Sequence, residues 1–171
     1  MNYMQIEKTS VANGKGIRTV LWVSGCSLHC KGCQNPETWD FKAGKPFDEK
    51  AKDELFEALD KPYIKGLTIS GGNPLEFENQ IALYNLLTEY KNRFPQKDVW
   101  LYTGFTFNEQ VFELDDFYIY KQILKMCDVI VDGEFIQEQR DITLPFRGSS
   151  NQRLIDVKQT LNNKKIVLLK I

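Results

Sequence analysis

Apolar residues along this chain form short β-branched runs that alternate with longer stretches of helical periodicity. The run at residues 17–24 is β-branched and apolar and stops at Gly25, which predicts a first strand that ends in a turn. The same composition predicts further strands at residues 66–70, 99–103, 129–131, 153–157 and 166–169. We interpret these runs as the strands of one sheet.

The stretches between the predicted strands have the periodicity of amphipathic helices. Ala51, Leu55, Ala58 and Leu59 recur at steps of three to four residues, and Asp48 precedes them as a predicted N-cap. A second helix is indicated by one apolar face that stops before Pro95 and consists of Leu83, Leu87, Tyr90 and Phe94. Helical pieces are also predicted for residues 108–126.

Strands that alternate with helices predict βαβ units, because parallel neighbours need a crossover connection. No repeat or linker divides the sequence, so residues 1–171 are expected to form a single domain. At roughly 30 residues per unit the chain allows about five or six units, whereas a closed eight-fold barrel takes about 250 residues. The expected fold is α/β with a mostly parallel sheet, either an incomplete (β/α) barrel or an open doubly wound sheet.

The loops that leave the predicted strands carry the chemically distinctive residues. In both candidate folds, ligands bind at the carboxyl ends of the parallel strands. Four segments fall at such ends, namely residues 25–35, 70–74, 102–105 and 132–135. We therefore expect these segments to converge on one site.

Composition and charge narrow the classes of partner. The chain is 42% hydrophobic and can bury a core, and its 22 Lys and Arg against 23 Asp and Glu leave a formal net charge of −1. This balance provides neither a basic footprint for nucleic acid nor a polybasic patch for a membrane. The longest apolar runs have four residues, so neither a signal peptide nor a membrane span is expected, and we expect a cytoplasmic protein.

Cys26, Cys30 and Cys33 have the spacing C-x3-C-x2-C in the segment that follows the first predicted strand, here named the cysteine loop (residues 26–33). In a reducing cytosol, clustered thiols more often bind metal or do redox chemistry than form disulfides. Thiolates are the usual ligands of zinc and of iron–sulfur clusters. A [4Fe–4S] cluster with three cysteine ligands keeps one iron open for an exchangeable ligand, whereas a structural zinc site needs a fourth residue.

Two residues are candidates for that fourth ligand. His29 is adjacent to Cys30, so its side chain is expected to diverge from that thiolate. Cys127 lies 94 positions beyond Cys33 (127 − 33), and an isolated cysteine of this kind is more often a small buried hydrophobe. The cysteine loop therefore favours a cluster with three cysteine ligands over zinc.

Further motifs follow one another through nearly the whole chain. They are Asn13-Gly14-x-Gly16-x-Arg18, Cys33-x-Asn35, Thr38-Trp39, Gly44-Lys45-Pro46-Phe47, Gly66-Leu67-Thr68-x-Ser70-Gly71-Gly72-x-Pro74-Leu75, Lys97-Asp98-Val99-Trp100, Tyr102-Thr103-Gly104-Phe105, Val131-Asp132-Gly133 and Arg147-Gly148-Ser149-Ser150-Asn151-Gln152-Arg153. The cysteine loop resembles that of radical S-adenosylmethionine proteins. With the other motifs, the chain is more narrowly similar to the family of activating proteins of anaerobic ribonucleoside-triphosphate reductases, among the organic radical-activating enzymes.

This resemblance implies a fold, two cofactors and a set of site residues. The fold would be the incomplete (β/α) barrel, and the cofactors would be a [4Fe–4S] cluster and S-adenosylmethionine. The resemblance assigns cluster ligation to Cys26, Cys30 and Cys33. It assigns contacts with S-adenosylmethionine to Gly72 at the amino group, to Gly32, Cys33 and Gln34 at the adenine, and to Asp132 at the ribose or a substrate loop.

The resemblance also implies the reaction and its partners. Reductive cleavage of S-adenosylmethionine would give a 5′-deoxyadenosyl radical that installs a glycyl radical on the large subunit of the reductase. A one-electron reductant such as flavodoxin or ferredoxin would be the other partner. No protein side chain is expected to act as a general base or nucleophile, because the cofactors carry the chemistry.

Several positions depart from the family pattern or have open roles. Asn73 stands where the family often has Asp, and Gln34 stands where many members have Tyr. Arg147, Asn151 and Arg153 are candidates for binding a ligand carboxylate or a partner peptide, or are ordinary surface residues. Two alternative functions stay open at this point, namely activation of another glycyl-radical enzyme and a zinc-stabilised binding module.

Overall fold

The computed structural model describes residues 1–110, 115 and 117–171. The strands in these residues are β1 (Asn2–Ser10), β2 (Arg18–Val23), β3 (Lys45–Pro46), β4 (Gly66–Gly71), β5 (Asp98–Tyr102), β6 (Val129–Asp132) and β7 (Arg153–Asp156). They form one sheet in the order β3-β1-β2-β4-β5-β6-β7. The expected α/β class is confirmed.

The α-helices of the described residues lie between these strands or after them. They are α1 (Glu49–Leu59), α2 (Phe77–Arg93), α3 (Ile119–Met126) and α4 (Val157–Asn163). The Asp48 side chain accepts a hydrogen bond from the Ala51 backbone N–H, which confirms the predicted N-cap of α1. Of the helical pieces predicted for residues 108–126, α3 is present, while residues 111–114 and 116 lie outside the described residues. None of the described helices has the length and apolarity needed to cross a bilayer.

The centre of the sheet is parallel, and antiparallel strands flank it on both sides. Strands β2, β4, β5 and β6 pair in parallel, whereas β1 pairs antiparallel with β2, and β7 pairs antiparallel with β6. The described sheet thus has four parallel strands. The predicted five or six βα units would give five or six parallel strands.

The prediction of a strand at residues 166–169 is wrong. This segment runs beside β7 and contributes only an isolated bridge between Ile155 and Leu168. The segment meets β7 only through the bonds from the Asp156 N–H to Val167 and from the Leu169 N–H to Leu154 (2.9 and 2.8 Å). Leu168 is exposed and the other three side chains are only half-buried, so the segment packs against the edge of the sheet without forming a full strand.

Alternate residues of the central strands face opposite sides of the sheet. One face packs against the helices in the larger core, to which the strands contribute Leu21, Ile69, Leu101, Ile130 and Ile155. The other face, here named the inner face, carries the smaller cluster of Trp100, Val129, Val131 and Leu154. The strand register also brings Trp22 beside Ser70, and Tyr102 beside Val131, at the carboxyl end of the inner face.

The loop between β1 and β2 folds against the inner face. Arg18 is fully buried, and its Nε donates to Thr68 Oγ1 at 2.7 Å while its Nη1 forms an ion pair with Asp98 at 2.6 Å. The Thr68 hydroxyl donates in turn to the Asn13 carbonyl oxygen at 2.7 Å. These bonds hold the loop in a position from which Asn13 lines the cavity described next.

Candidate functional site

A cavity of about 360 Å³ lies on the inner face at the carboxyl ends of the parallel strands. Its volume is in the range of small-molecule binding sites. All four predicted segments contribute to its wall, for example through Cys26, Gly72, Thr103 and Gly133. The predicted convergence of these loops on one site is confirmed.

The cysteine loop is fixed at its start by the segment that follows it. The backbone N–H groups of Gly25 and Cys26 donate to the carbonyl oxygens of Thr38 and Trp39 at 2.8 and 3.0 Å. The Trp39 indole packs against the His29 ring with 4.7 Å between the ring centroids. The cysteine loop is therefore bonded at its start to the segment at Thr38 and Trp39, which follows the loop in the chain.

Cys26, Cys30 and Cys33 all line the cavity, and the Asn35 N–H donates to the Cys33 sulfur at 3.4 Å. Three sulfur donors from one short loop match the ligand chemistry of an iron–sulfur cluster. Within the described part of the chain, no group of three or more His, Cys, Asp or Glu side chains has the close arrangement of an assembled metal site. Ligation by the three cysteines therefore stays a prediction.

Backbone N–H groups lie near two of the sulfurs. Burial raises the pKa of the Cys26 thiol, and the N–H groups of Leu28 and His29 act in the opposite direction. Burial also raises the pKa of the Cys30 thiol, against the lowering effect of the Phe135 N–H. Hydrogen bonds to sulfur favour the thiolate and influence the potential of a bound cluster. The loop thus has donors suited to a metal-bound sulfur.

The described lining of the cavity includes neither His29 nor Cys127, the two candidates for a fourth ligand. The His29 ring is engaged with Trp39. Cys127 is buried just after α3, where its thiol donates to the Ile123 carbonyl oxygen at 3.3 Å and burial raises its pKa. Cys127 therefore has the surroundings of a buried structural thiol.

The segment after β4, here named the glycine turn (residues 70–74), contacts the backbone that immediately precedes the cysteine loop. The Gly72 N–H donates to the Val23 carbonyl oxygen at 2.8 Å, and the Asn73 N–H donates to that of Gly25 at 2.7 Å. A Cβ on Gly72 would lie 2.5 Å from the Gly25 carbonyl oxygen. Only glycine permits this approach, so Gly72 both lines the cavity and lets the two loops meet.

Asn73 has a structural reason to be an amide. Its Oδ1 accepts a hydrogen bond from Thr103 Oγ1 at 2.8 Å, and its Nδ2 donates to Glu76 Oε1 at 3.2 Å. An aspartate at this position would have no hydrogen to donate and would face the Glu76 carboxylate. The departure from the family pattern is therefore matched by a neighbouring acidic residue.

Of the three residues predicted to contact the adenine, two line the cavity and one is outside the described lining. Gln34 and Cys33 line the cavity. Gly32 is exposed, and a Cβ there would meet the Gln137 side chain. Gln34, which departs from the family pattern, is thus part of the cavity wall.

Asp132 is engaged by protein groups. Its carboxylate accepts hydrogen bonds from Arg153 Nε at 3.0 Å and from the Phe107 N–H at 2.7 Å, and it is 1% exposed. Its neighbour Gly133 lines the cavity, whereas the described lining does not include Asp132. A direct ligand contact by Asp132 stays a prediction.

The three residues with open roles occupy different places. Arg153 binds Asp132, and Asn151 Nδ2 donates to the Glu134 carbonyl oxygen at 2.8 Å. Arg147 lines the cavity, and its Nη1 donates to the Gln152 carbonyl oxygen at 2.9 Å. Arg147 is therefore the one of the three that is placed to meet a ligand.

Several cavity residues were not singled out from the sequence. They include Trp22, Leu144 and Phe146. Trp22 lies on the inner face because of the two-residue period of its strand, so the alternation in the predicted strand was a signal that could have found it. Leu144 and Phe146 come from an irregular segment that has no such period.

Comparison with known proteins identifies the class to which this site belongs. Residues 12–155 match the family described as a 4Fe-4S single cluster domain. Similar curated proteins occur in Pasteurella multocida, with 42% identity over 154 residues, and in Enterobacteria phage T4, also with 42% identity over 154 residues. A third, from Escherichia coli strain K12, is 37% identical over 155 residues.

These matches extend over most of each chain. They cover 89%, 90% and 89% of this chain and 95%, 93% and 96% of the three relatives, in the same order. All three relatives are named anaerobic ribonucleoside-triphosphate reductase-activating protein. The chain belongs to this family of activating proteins, which confirms the resemblance seen in its motifs.

Proposed function

We propose that this protein cleaves S-adenosylmethionine reductively at a [4Fe–4S] cluster and uses the resulting 5′-deoxyadenosyl radical to install a glycyl radical on the large subunit of anaerobic ribonucleoside-triphosphate reductase. One observation carries the proposal. The three cysteines and the glycine turn line a single cavity in a chain of the activating-protein family. The cluster and S-adenosylmethionine supply the electron transfer and the radical chemistry.

The residues of the cysteine loop and the glycine turn have distinct tasks in this proposal. Cys26, Cys30 and Cys33 hold the cluster and leave one iron for the amino and carboxylate groups of S-adenosylmethionine. Gly72 offers close backbone approach to the amino group. The backbone at Cys33 and Gln34, with Gly32 between the second and third ligands, borders the adenine.

Asp132 and Arg147 have other tasks in this proposal. Gly133 lines the cavity next to Asp132, whose carboxylate binds Arg153. We infer that Asp132 fixes the end of β6 near the ribose or the substrate loop. Arg147 offers a cation for a carboxylate, because a guanidinium is a rigid donor group for such an anion.

Positioning is the main task of the protein in this reaction. A primary alkyl radical attacks almost any neighbouring C–H bond, so the target glycine has to lie in van der Waals contact with the reactive carbon. We propose that the described sheet is the wall of an incomplete (β/α) barrel, formed by one domain over residues 1–171. An incomplete barrel leaves an opening through which a loop of the large subunit enters.

The remaining partners follow from the same chemistry. Each turnover needs one electron, for which a flavodoxin or a ferredoxin is a suitable donor. A cytoplasmic location fits this reaction because the reductase supplies deoxynucleotides to the cell interior. The net charge of −1 gives no support to a nucleic-acid partner.

The test is anaerobic reconstitution with iron and sulfide, followed by an assay for 5′-deoxyadenosine with and without the reductase large subunit. We expect about four irons per chain, formation of 5′-deoxyadenosine, and a glycyl-radical doublet in the electron paramagnetic resonance spectrum of the large subunit. One bound zinc and no iron would support the zinc-stabilised module instead. A doublet only on another glycyl-radical enzyme would change the partner and keep the chemistry.

A further inference from the structure

A single carboxylate oxygen connects the cysteine loop to the glycine turn. Glu76 is the N-cap residue of α2 and is 7% exposed. Its Oε1 accepts hydrogen bonds from the backbone N–H and the hydroxyl of Ser27, each at 2.8 Å, and from Asn73 Nδ2 at 3.2 Å. Ser27 lies between Cys26 and Cys30, so this oxygen reaches into the segment that carries the predicted cluster ligands.

The same network continues to a third loop. Thr103 Oγ1 donates to Asn73 Oδ1 at 2.8 Å, and the Phe105 N–H donates to Thr103 Oγ1 at 3.1 Å. Asn73 and Thr103 are 1% and 6% exposed. The network therefore joins the loops that follow β2, β4 and β5, which together form much of the cavity wall. Buried polar networks with satisfied members rigidify the groups that they connect.

Glu76 is the member on which this network depends most. Hydrogen bonds to a carboxylate are roughly twice as strong as those between neutral groups. Loss of the acceptor would leave the buried Asn73 amide without this partner and would release both Ser27 donors, and an unsatisfied buried donor costs more than the net gain from an ordinary hydrogen bond. Removing the Glu76 carboxylate should therefore loosen the cysteine loop relative to the glycine turn.

We propose that Glu76 is a positioning residue that fixes the cysteine loop against the glycine turn and thereby sets the affinity for S-adenosylmethionine. This inference rests on the proposed function, in which S-adenosylmethionine contacts both loops at once. Glu76 is not part of the described cavity lining, so it acts through Ser27 and Asn73.

Two substitutions at position 76 test the proposal. Glu76→Ala removes the acceptor oxygen, whereas Glu76→Gln keeps an amide oxygen that can accept from Ser27 and Asn73 but carries no charge. Glu78→Ala is the matched control, because Glu78 is exposed in the first turn of the same helix.

Each variant is reconstituted anaerobically, its iron is counted, and its affinity for S-adenosylmethionine is measured from the change in the spectrum of the reduced cluster. Glu76→Ala should bind roughly tenfold more weakly, and Glu76→Gln should stay within about threefold of the wild type. Glu78→Ala should bind like the wild type. Wild-type affinity in Glu76→Ala at full iron content, or an equal loss in Glu76→Ala and Glu78→Ala, would overturn the proposal.

Two further outcomes are covered by the same set of variants. If Glu76→Ala fails to hold iron, iron and affinity kept in Glu76→Gln support the proposal, and their loss in Glu76→Gln overturns it. A wild-type protein that holds the cluster but binds no S-adenosylmethionine would contradict the proposed function itself. Thermal unfolding then decides the link through Glu76: a Tm of Glu76→Ala below those of Glu76→Gln and Glu78→Ala supports it, and equal Tm values overturn it.

Discussion

The Arg153 guanidinium binds the buried carboxylate of Asp132 across the antiparallel pair of β6 and β7. The two residues are direct partners in the strand register, and the distance from Arg153 Nε to Asp132 Oδ1 is 3.0 Å. Hydrogen bonding to this carboxylate raises the pKa of Arg153. Arg153 also donates to the Phe107 carbonyl oxygen, so one side chain connects β7 to the loop after β5.

Arg153→Ala should destabilise the protein by about 3 kcal/mol, because it leaves a carboxylate with 1% exposure without its charged partner. Chemical denaturation measures the change in the free energy of unfolding. Arg140→Ala is the control, since Arg140 is exposed and its loss should change this free energy by less than about 0.5 kcal/mol. Equal effects of the two substitutions would contradict a structural role for the Arg153–Asp132 pair.

Replacement of Cys26, Cys30 or Cys33 by Ala should each abolish iron binding, because a cluster with one open iron has no thiolate to spare. Cys127→Ala should keep the iron and lower the free energy of unfolding by about 1 kcal/mol, because it removes a buried sulfur. Iron and acid-labile sulfide are counted in protein purified without oxygen. Loss of iron in the Cys127 variant would show that the ligand assignment is wrong.

His29→Ala should leave the iron content of the reconstituted protein unchanged. The His29 ring packs against Trp39 and is not part of the described cavity wall, so the substitution removes a ring contact rather than a ligand. The Trp39 fluorescence should change, because the indole loses its neighbour. An affinity for zinc or iron that falls by about tenfold or more would instead identify His29 as a ligand.

Gly72→Ala should reduce both the iron content and the affinity for S-adenosylmethionine. The added methyl group would lie 2.5 Å from the Gly25 carbonyl oxygen, and Gly25 immediately precedes the cysteine loop. Gly104→Ala is the matched comparison, because its methyl group would meet only the flexible end of the Leu28 side chain. Iron content is expected to stay near wild type in that variant, and a larger loss there than at Gly72 would refute this geometry.

The sequence was informative wherever one short-range physical signal dominated. The β-branched runs predicted the parallel strands because buried strands need apolar side chains on both faces. Asp48 was identified as an N-cap because capping is a local hydrogen bond. The cysteine spacing identified the candidate cluster ligands because all three thiols come from one loop.

Other features depend on contacts between distant segments and left no local signal. β1 was not predicted, because it is largely half-exposed and contains charged residues such as Glu7 and Lys8. The bonds from Ser27 and Asn73 to Glu76 join residues up to 49 positions apart, so no sequence period marks them. The resemblance assigned Asp132 a contact at the ribose or a substrate loop, and only the strand register revealed its pairing with Arg153.

The central claim is that three cysteines hold a cluster whose remaining iron binds S-adenosylmethionine. Mössbauer spectroscopy of anaerobically reconstituted protein tests this claim most directly, because it resolves the irons of one cluster by their ligands. We expect one iron of about four to change its isomer shift when S-adenosylmethionine is added, while the others stay unchanged. A spectrum that does not respond to S-adenosylmethionine, or one in which every iron has the same thiolate ligation, would contradict the claim.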